Sequence, residues 1–595
     1  MRRPGTPRVL LILFAALLFG SLAPPIASAN DLGASMYTRD SDTERLAYAR
    51  VIRLQHSGSL NGTLLGSFEH ARSDGTPADF VLRESGDDGA NWTTKATLGD
   101  PLTGPGHPSD QLWQPFLFEL PTQLGEFPAG TLLLFGNVAP SSGERTDFVS
   151  WRSTDHGASW QFQSIIQTGG GGGGAPHGGS GVWEPFVIVD GAGRLAMYFS
   201  DERTEPEHAQ VLAHIVSDDG GVSWSANPDG STNFEPGRVI DVQSTTDTDR
   251  PGMPTLAQLP DGTIAMAYEI CGDGRNCEAH LKTSTDGGTT WGGGPEDLGT
   301  KAVSTDGRYL GSSPYLVWSP ADGGRLLLTG MRTRLLDGDG FTPEDRQAIF
   351  VSTDGAQGPW SWLPAPFQPL ESSAANCSTS YSPDLLLSED GTSVRYTTPT
   401  AVGDSGCMEG TAVGQAGTLP YTSAFDRGRS GWIDYGGCWS TSDGVLSETC
   451  GGDGGNKSLA GSTAWGDYTL AGDVRLDNGP EAGFVVRASN PGVGADAVNG
   501  YYVGVSETSL FLGRQDGAWT PLASVPIPDG LAAGTWYHLS VQAQGCTFTI
   551  TGTKDGSGTP TTLDYTDDGC TFTHGAVGVR DQTGTGSWRD ITVQA

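Results

Sequence analysis

The stretch SDDGGVSW at residues 217–224 follows the pattern Ser-x-Asp-x-Gly-x-x-Trp, which recurs along the first 420 residues. Full copies occupy residues 85–92, 153–160, 217–224 and 284–291, and a degenerate copy runs from Ser352 to Trp360. Successive copies start 68, 64, 67 and 68 residues apart. Each copy predicts a tight turn, because Asp accepts backbone N–H groups, Gly takes a positive φ and Trp packs beneath the turn. The near-constant spacing indicates a repeat architecture.

A second series of turns runs beside the first. Apolar strands flank turn glycines that are 68, 61, 71, 61 and 68 residues apart, namely Gly62, Gly130, Gly191, Gly262, Gly323 and Gly391. Six hairpins at this spacing predict a six-bladed β-propeller with four strands in each blade. The sixth hairpin lacks an Asp turn of its own. We therefore expect the residues after Asn30 to complete that blade and close the ring.

The alternation of strands predicts which face of the propeller carries function. If the strands of a blade are named A to D from the axis outward, the glycine hairpins join A to B and the Asp turns join C to D. Both kinds of turn then lie on one face, and we interpret the Asp turns as structural. The opposite face receives the starts of the A strands and the ends of the B strands, so functional residues are expected there.

The starts of the A strands share a proline. Blades two and three read WQPF at residues 113–116 and WEPF at residues 183–186, so the fold accepts Gln114 where the next blade has Glu184. Glu184 is therefore not required for folding. A carboxyl group beside Trp183, near the axis and an apolar strand, is expected to have a raised pKa, as a general acid needs. The other prolines in this position are Pro254, Pro314 and Pro383.

The ends of the B strands supply a second carboxylate. Glu269 follows an apolar strand in blade four, and Glu69 and Asp201 end the corresponding strands of blades one and three as its competitors. Two carboxyl groups facing each other across a funnel are what glycoside hydrolysis needs, one to protonate the leaving oxygen and one to attack carbon or activate water. Further candidates on this rim are Arg53, Asp249, Arg250 and Tyr381, for which the structural alternatives are salt bridges between blades or simple packing.

Four motifs carry a resemblance to a known family. WEPF at 183–186, YFSDER at 198–203, DRPGM at 249–253 and AYE at 267–269 resemble glycoside hydrolase family 93. The resemblance implies a sialidase-like propeller and a retaining exo-α-L-arabinanase that releases arabinobiose from α-1,5-linked arabinan, with no metal or cofactor. By motif, the two catalytic glutamates of the family fall on Glu184 as acid/base and Glu269 as nucleophile. Tyr381 is the best match to a supporting tyrosine.

Two other functions remain open from the sequence. A sialidase would need three arginines around a carboxylate and a Tyr/Glu nucleophile pair. Arg53 and Arg250 could serve, and Tyr381 with Glu69 could form the pair, but a third arginine is not evident. A non-catalytic propeller that binds glycans is the second alternative.

Composition and the N-terminus bound the setting. With 34 basic and 69 acidic residues, the chain has a net charge of −35, which argues against nucleic acid and anionic membranes as partners. Residues 1–29 have the basic, apolar and small-residue regions of a secretory signal peptide, so we expect a secreted monomer that acts on a polysaccharide. Eight cysteines in a secreted chain indicate disulfides. Nearest-neighbour pairing would give four short loops, but the connectivity stays open.

The repeat stops near Pro420, which predicts a propeller over residues 30–420 and a second domain over residues 421–595. The second part alternates short strands, as an antiparallel sandwich does, and resembles laminin-G-like or concanavalin-like jelly rolls appended to secreted glycosidases. We interpret it as a carbohydrate-binding module. Its aromatic residues could stack on sugars or form the core, and the candidates are Trp432, Tyr435, Trp439, Tyr501 and Trp519.

Overall fold

The computed structural model describes residues 33–102, 109–140, 144–171, 179–226, 237–338, 340–452, 454–556 and 559–595. The predicted signal peptide, residues 1–29, lies outside these ranges. The described chain is all-β apart from three single-turn 3₁₀ helices, Gly58–Leu60, Ala321–Gly323 and Gly355–Gln357. The prediction of a six-bladed propeller followed by an antiparallel β-sandwich is confirmed. Within these ranges, no helix has the length and apolar character needed to cross a membrane.

The six blades are antiparallel sheets, and the first three are each built from four strands that are consecutive in the chain. Blade one contains Glu44–Arg53, Leu64–Arg72, Asp79–Ser85 and Thr93–Leu98, and blade two contains Ser109–Glu119, Leu132–Pro140, Arg145–Ser153 and Gln161–Gly170. Blade three contains Val182–Val189, Leu195–Asp201, Val211–Ser217 and Val239–Val242. Blade four contains Arg250–Gln258, Ile264–Cys271, Glu278–Ser284 and Thr300–Lys301, and is extended by Arg308–Gly311 and Arg332–Leu335. Blade five contains Tyr315–Ser319, Arg325–Thr329, Ala348–Ser352 and Ser361–Pro364.

The sixth blade closes the ring with the N-terminal strand. Its strands are Asp384–Leu387, Ser393–Val402, Gly406–Gln415 and Ala34–Thr38, and the last of these pairs antiparallel with the third, with Ala34 opposite Thr411. The expectation that residues after Asn30 complete this blade is therefore met. This closure joins both ends of the repeat in one sheet.

The four full Asp turns share the same hydrogen bonds among Ser, Asp and Gly. In the copy at 85–92, the Ser85 hydroxyl donates to Asp87 and accepts from the N–H of Gly89, which has φ 78°. Asp87 also accepts from the N–H of Asn91 at 2.9 Å, and the Trp92 indole donates to the Gly89 carbonyl at 3.1 Å. These hydrogen bonds lower the pKa of Asp87 to about 2. The polar side chains of the turn thus form their hydrogen bonds within the turn itself.

A kink at the start of each A strand projects one side chain towards the axis. The six residues are Tyr48, Gln114, Glu184, Met253, Ser313 and Ser382, which we call the axial positions, and their φ angles are all between 50° and 60°. In the first four blades the strand register shifts at this point, as in a β-bulge. Non-glycine residues rarely adopt such φ angles, and each costs about 1–3 kcal/mol that the surrounding fold must supply.

Two large sheets form the sandwich after residue 420. The first has the strand order Trp439–Ser442, Val445–Glu448, Thr585–Gln594, Tyr468–Asn478, Trp536–Gln544, Thr547–Lys554 and Thr561–Thr566, with Tyr421–Ser423 also paired to Thr585–Gln594. The second has the order Trp432–Tyr435, Lys457–Ala460, Ala576–Asp581, Glu481–Ser489, Asn499–Ser506, Ser509–Gln515 and Trp519–Pro526. Residues such as Leu470, Phe484 and Trp588 form the core between them.

The outer face of the second sheet packs against blades four and five of the propeller. Tyr435 and Tyr502 of the sandwich lie in one buried cluster with Trp360 and Trp362 of the propeller. An ion network crosses this interface. Glu344 of the propeller accepts hydrogen bonds from Arg308 at 3.1 and 3.2 Å and from the Tyr435 hydroxyl of the sandwich at 2.6 Å. Arg308 also pairs with Asp306 and donates to the Pro491 carbonyl of the sandwich. Propeller and sandwich therefore share a core.

Four disulfides join neighbouring cysteines. The pairs are Cys271–Cys277, Cys377–Cys407, Cys438–Cys450 and Cys546–Cys570. Two pairs lie in the propeller and two in the sandwich, and none links the two parts of the chain. The nearest-neighbour arrangement is thus the one that the structure shows.

Candidate active site

One pocket gathers five of the predicted site residues on the axial face. Its volume is about 310 Å³, and its lining includes Trp183, Glu184, Arg250, Glu269 and Tyr381. They come from blades three, four and six, which are distant in sequence. The pocket is brought together by the bulges at the A-strand starts and by the ends of the B strands, as the strand alternation predicts.

Glu184 occupies the axial position of blade three and is held by neutral hydrogen-bond donors. The Ser200 hydroxyl donates to Glu184 Oε2 at 2.5 Å, and the Gln114 side-chain amide donates to Oε1 at 3.2 Å. Burial, partly offset by the Ser200 hydrogen bond and reinforced by the negative charge of Glu269, raises the pKa of Glu184 to about 8. A carboxyl group with this pKa carries a proton at neutral pH and can donate it.

Glu269 ends the B strand of blade four and is held by a backbone donor. The N–H of Ser313 donates to Glu269 Oε2 at 2.7 Å, which fixes the carboxylate and ties blade four to blade five. Burial raises its pKa to about 7, while the Ser313 N–H and the charge of Arg250 oppose the increase. Glu269 therefore ionises more easily than Glu184.

A disulfide lies directly beside Glu269. Cys271 Sγ is 3.4 Å from Glu269 Oε1, and Cys277 completes a cluster of potential ligand atoms within 4.8 Å of one another. Because the two cysteines are joined, they offer no thiolates to a metal ion. The cluster shapes the wall of the pocket.

Tyr381 and Tyr48 line the axis next to the two glutamates. Their ring centroids are 6.1 Å apart, and burial together with the charges of Glu184 and Glu69 raises the pKa of Tyr381. Below them, the Arg50 guanidinium lies 4.2 Å from the Tyr48 ring centroid and donates to the Ser382 hydroxyl at 2.7 Å. Arg50 thus lies near the axis of the propeller. The raised pKa keeps the Tyr381 hydroxyl protonated.

Arg250 is anchored at the edge of the pocket by residues that the sequence analysis did not select. Its guanidinium pairs with Glu202 and donates to the Gln210 side chain at 2.6 Å. Glu202 and Gln210 line the pocket with it, as does Gln114. Glu202 stands inside the YFSDER motif, so its position there was the available signal. Gln210 has no such signal, because it follows a loop of irregular structure.

Arg53 does not lie in the pocket, and its predicted placement is wrong. It is the last residue of strand Glu44–Arg53, at the hairpin, and it donates to the Gly62 carbonyl at 3.2 Å and pairs with Asp88 at 2.8 Å. Both partners belong to turns on the opposite face. The A strand of blade one begins earlier in the chain than expected, because the mostly apolar run Leu46–Val51 starts well before Arg53.

Asp201 and Asp249 are structural carboxylates and do not line the pocket. Asp201 is fully buried between Arg203 and Arg238, and burial raises its pKa less than the two guanidinium groups lower it. Asp249 is 2% exposed and pairs with Arg275 at 3.0 Å. Each of them therefore serves the loops behind the catalytic face.

Glu69 lies near the axis, but its carboxylate has a structural role. It accepts the N–H of Gln114 at 2.8 Å, which is the same contact to the next blade that Glu269 makes in blade four. Its side chain is buried, and burial raises its pKa to about 7. Glu69 does not line the pocket, and it acts on the site through its charge.

Several solved structures are similar to this chain. The chain is similar to an α-L-arabinanase of Penicillium chrysogenum complexed with arabinobiose, with 25% identity over 64% of this chain and 97% of the other and a TM-score of 0.51. It is also similar to the α-L-arabinofuranosidase Arb93A of Fusarium graminearum in complex with an iminosugar inhibitor, with 26% identity, 64% and 96% coverage and a TM-score of 0.51. A complex of the family 93 arabinofuranosidase of Fusarium graminearum with arabinobiose matches at 25% identity, 64% and 97% coverage and a TM-score of 0.50.

The propeller is similar to glycoside hydrolases of family 93. The resemblance drawn from the four sequence motifs is thus confirmed in three dimensions. Residues 420–594 match the model of a second family, described as a 3-keto-alpha-glucoside-1,2-lyase-like domain. No curated protein matches the chain.

Proposed function

We propose that this chain is a secreted, retaining exo-glycosidase that cleaves α-1,5-linked L-arabinan and releases arabinobiose. The observation that carries the proposal is that a single pocket holds Glu184 and Glu269, two carboxyl groups that differ in the donors that hold them. The likeness to enzymes solved with arabinobiose supports arabinan as the substrate.

Glu184 acts as the general acid and then as the general base. Its pKa of about 8 keeps the proton available near neutral pH, and its partners Ser200 and Gln114 are neutral donors. Protonation of the glycosidic oxygen lets the leaving sugar depart as an alcohol. In the second step, Glu184 as carboxylate takes a proton from the attacking water.

Glu269 acts as the nucleophile. The Ser313 N–H orients its carboxylate, and the nearby charge of Arg250 favours the ionised form. Attack on the anomeric carbon forms a glycosyl-enzyme bond as the bond to the leaving oxygen breaks, and water later cleaves it with net retention. This mechanism requires a separation of about 5–5.5 Å between the two carboxyl groups.

Arg250, Trp183 and Tyr381 complete the substrate site. The guanidinium of Arg250 offers donors to sugar hydroxyls, and Trp183 offers an apolar ring face at the pocket wall. Tyr381 stands beside both glutamates with a protonated hydroxyl, so it can donate a hydrogen bond to the reacting sugar. Among the described residues that line the pocket, Arg250 is the single arginine, which does not favour the three-arginine clamp of a sialidase.

The test is product analysis with matched variants. We expect the chain to release arabinobiose from linear arabinan and no sialic acid from sialyllactose. Glu184→Gln and Glu269→Gln each retain an acceptor oxygen for the fold, and each should lower arabinobiose release at least about 100-fold. The control is Glu389→Gln, an exposed carboxylate in the hairpin turn of blade six, which should keep full activity. Unchanged release in either catalytic variant, or free sialic acid as the product, would overturn the proposal.

A further inference from the structure

The sandwich carries one exposed aromatic ring among the five that the sequence proposed for sugar stacking. Trp432, Tyr435, Trp439 and Tyr501 are all buried, with at most 6% of each exposed, whereas Trp519 is 37% exposed. The four buried rings contribute to the core or to the interface with the propeller. Their assignment as stacking residues is therefore wrong, and Trp519 remains.

Glycines on adjacent strands leave room for the aromatic rings on the outer face of the second sheet. A Cβ atom at Gly513 would lie 2.0 Å from the Trp519 ring, and one at Gly504 would lie 2.3 Å from the Phe511 ring. The Trp519 ring thus covers the backbone of Gly513 with one face. Its centroid is 6.2 Å from that of Phe511, at a T-shaped angle.

Polar groups surround this exposed ring. A groove of about 470 Å³ is lined by Trp519 and Phe511, by the polar residues Glu481, Ser506, Ser509 and Ser524, and by the apolar residues Leu512, Pro521, Leu522 and Ala523. Sugars present apolar C–H faces that stack on aromatic rings and hydroxyls at their edges that need such partners.

The Trp519 ring is fixed relative to the propeller. Tyr502, whose ring centroid is 6.0 Å from that of Trp519, is buried in the cluster shared with Trp360 and Trp362. The Arg580 guanidinium covers the Tyr502 ring at 4.5 Å. Trp519 is thus the exposed end of an aromatic row that begins inside the domain interface.

We propose that the groove around Trp519 is a saccharide-binding site, separate from the propeller pocket, in which a sugar ring of a polysaccharide stacks on the indole. Glu481, Ser509 and Ser524 accept and donate hydrogen bonds to the hydroxyls of that sugar. The proposal does not rest on the catalytic assignment, since the two sites share no residue.

The test measures binding without turnover. The full chain with Glu184→Gln is run in native gels that contain linear α-1,5-arabinan, inulin or mixed-linkage β-glucan, and retardation gives the apparent affinity. We expect retardation in at least one gel and a roughly tenfold loss on Trp519→Ala. Gly513→Ala should weaken binding too, because the added methyl group displaces the ring, whereas Trp519→Phe should keep most of it.

Trp536 provides the matched control. It lies on the other sheet, where the guanidinium groups of Arg475 and Arg589 lie 4.7 and 4.3 Å from its ring centroid, so Trp536→Ala should leave retardation unchanged. Three results would overturn the proposal: no retardation of the parent in any gel, equal retardation of the parent and Trp519→Ala, or an equal loss in both tryptophan variants. Because every variant is compared with a parent that carries the same Glu184→Gln change, the comparison between the tryptophan variants does not depend on the arabinanase assignment.

Discussion

Replacing Ser200 with alanine should move one limb of the pH–activity profile and leave the other in place. With the proposed roles, we expect ionisation of Glu269 to set the acid limb at about 7 and deprotonation of Glu184 to set the alkaline limb at about 8. The Ser200 hydroxyl bonds to Glu184 Oε2 at 2.5 Å and stabilises the charged form. Loss of that bond therefore raises the pKa of Glu184 further.

The magnitude follows from the strength of such a bond. A hydrogen bond to a charged group contributes about 1.5–3 kcal/mol, and one pKa unit corresponds to about 1.36 kcal/mol. Because water in the pocket replaces part of the lost interaction, we expect the alkaline limb to move up by about one unit. The acid limb should not move, since the Ser313 N–H still holds Glu269.

The assay is kcat/KM as a function of pH on an α-1,5-linked arabino-oligosaccharide, whose alcohol leaving group needs the proton; kcat/KM reports the pKa values of the free enzyme. The control is Ser150→Ala in blade two, which removes a buried hydroxyl whose partner is Ser164 at 3.3 Å. It should leave both limbs in place. If the acid limb moves in Ser200→Ala, or if neither limb moves, Glu184 is not the proton donor.

The other predictions concern leaving groups, substrate anchoring and the domain interface. Glu184→Gln should retain much more activity on a dinitrophenyl glycoside, whose leaving group needs no proton, than on arabinan, whereas Glu269→Gln should lose both; equal losses in initial-rate measurements would reverse the two roles. Arg250→Lys should lower kcat/KM for arabinan roughly 10–100-fold with an unchanged circular dichroism spectrum, because an ammonium group cannot bind Glu202, Gln210 and a sugar at the same time. Unchanged kinetics would exclude Arg250 from the site. Glu344→Gln should lower the free energy of unfolding by about 3–5 kcal/mol, since it leaves the buried charge of Arg308 without the Glu344 carboxylate. Glu371→Gln, which removes an exposed ion pair with Arg346, should lower it by less than about 1 kcal/mol. Chemical denaturation of both variants measures the difference, and equal effects would contradict the prediction.

The sequence predicts the propeller well because its turns repeat. The spacing of the Asp turns and glycine hairpins determines six blades, and the alternation of strands places Glu184 and Glu269 on one face. Arg53 is wrong because the beginning of a strand is hard to locate in an apolar run, and a shift of a few residues moves a side chain to the other face. Asp201 also pairs with Arg238, and Asp249 pairs with Arg275; these arginines are distant in sequence, and such partners leave no local pattern.

The sandwich shows the opposite limit. Alternating strands predict two sheets, but they do not say which face is covered by another domain. Tyr435 has the pattern of an outward-facing residue and is nonetheless fully buried, because blades four and five cover that face. The exposed Trp519 differs from it only in its distance from the propeller, which depends on tertiary structure alone.

The axial positions give this scaffold an unusual freedom for redesign. Six kinked backbones present tyrosine, glutamine, glutamate, methionine and two serines to the same central space, so the kink does not depend on the chemistry of the side chain. New catalytic groups could thus be installed around the ring one by one, with each strand already shaped to present them. A library of substitutions at Gln114, Met253 and Ser313 would explore other bond-cleaving chemistries without redesign of the backbone.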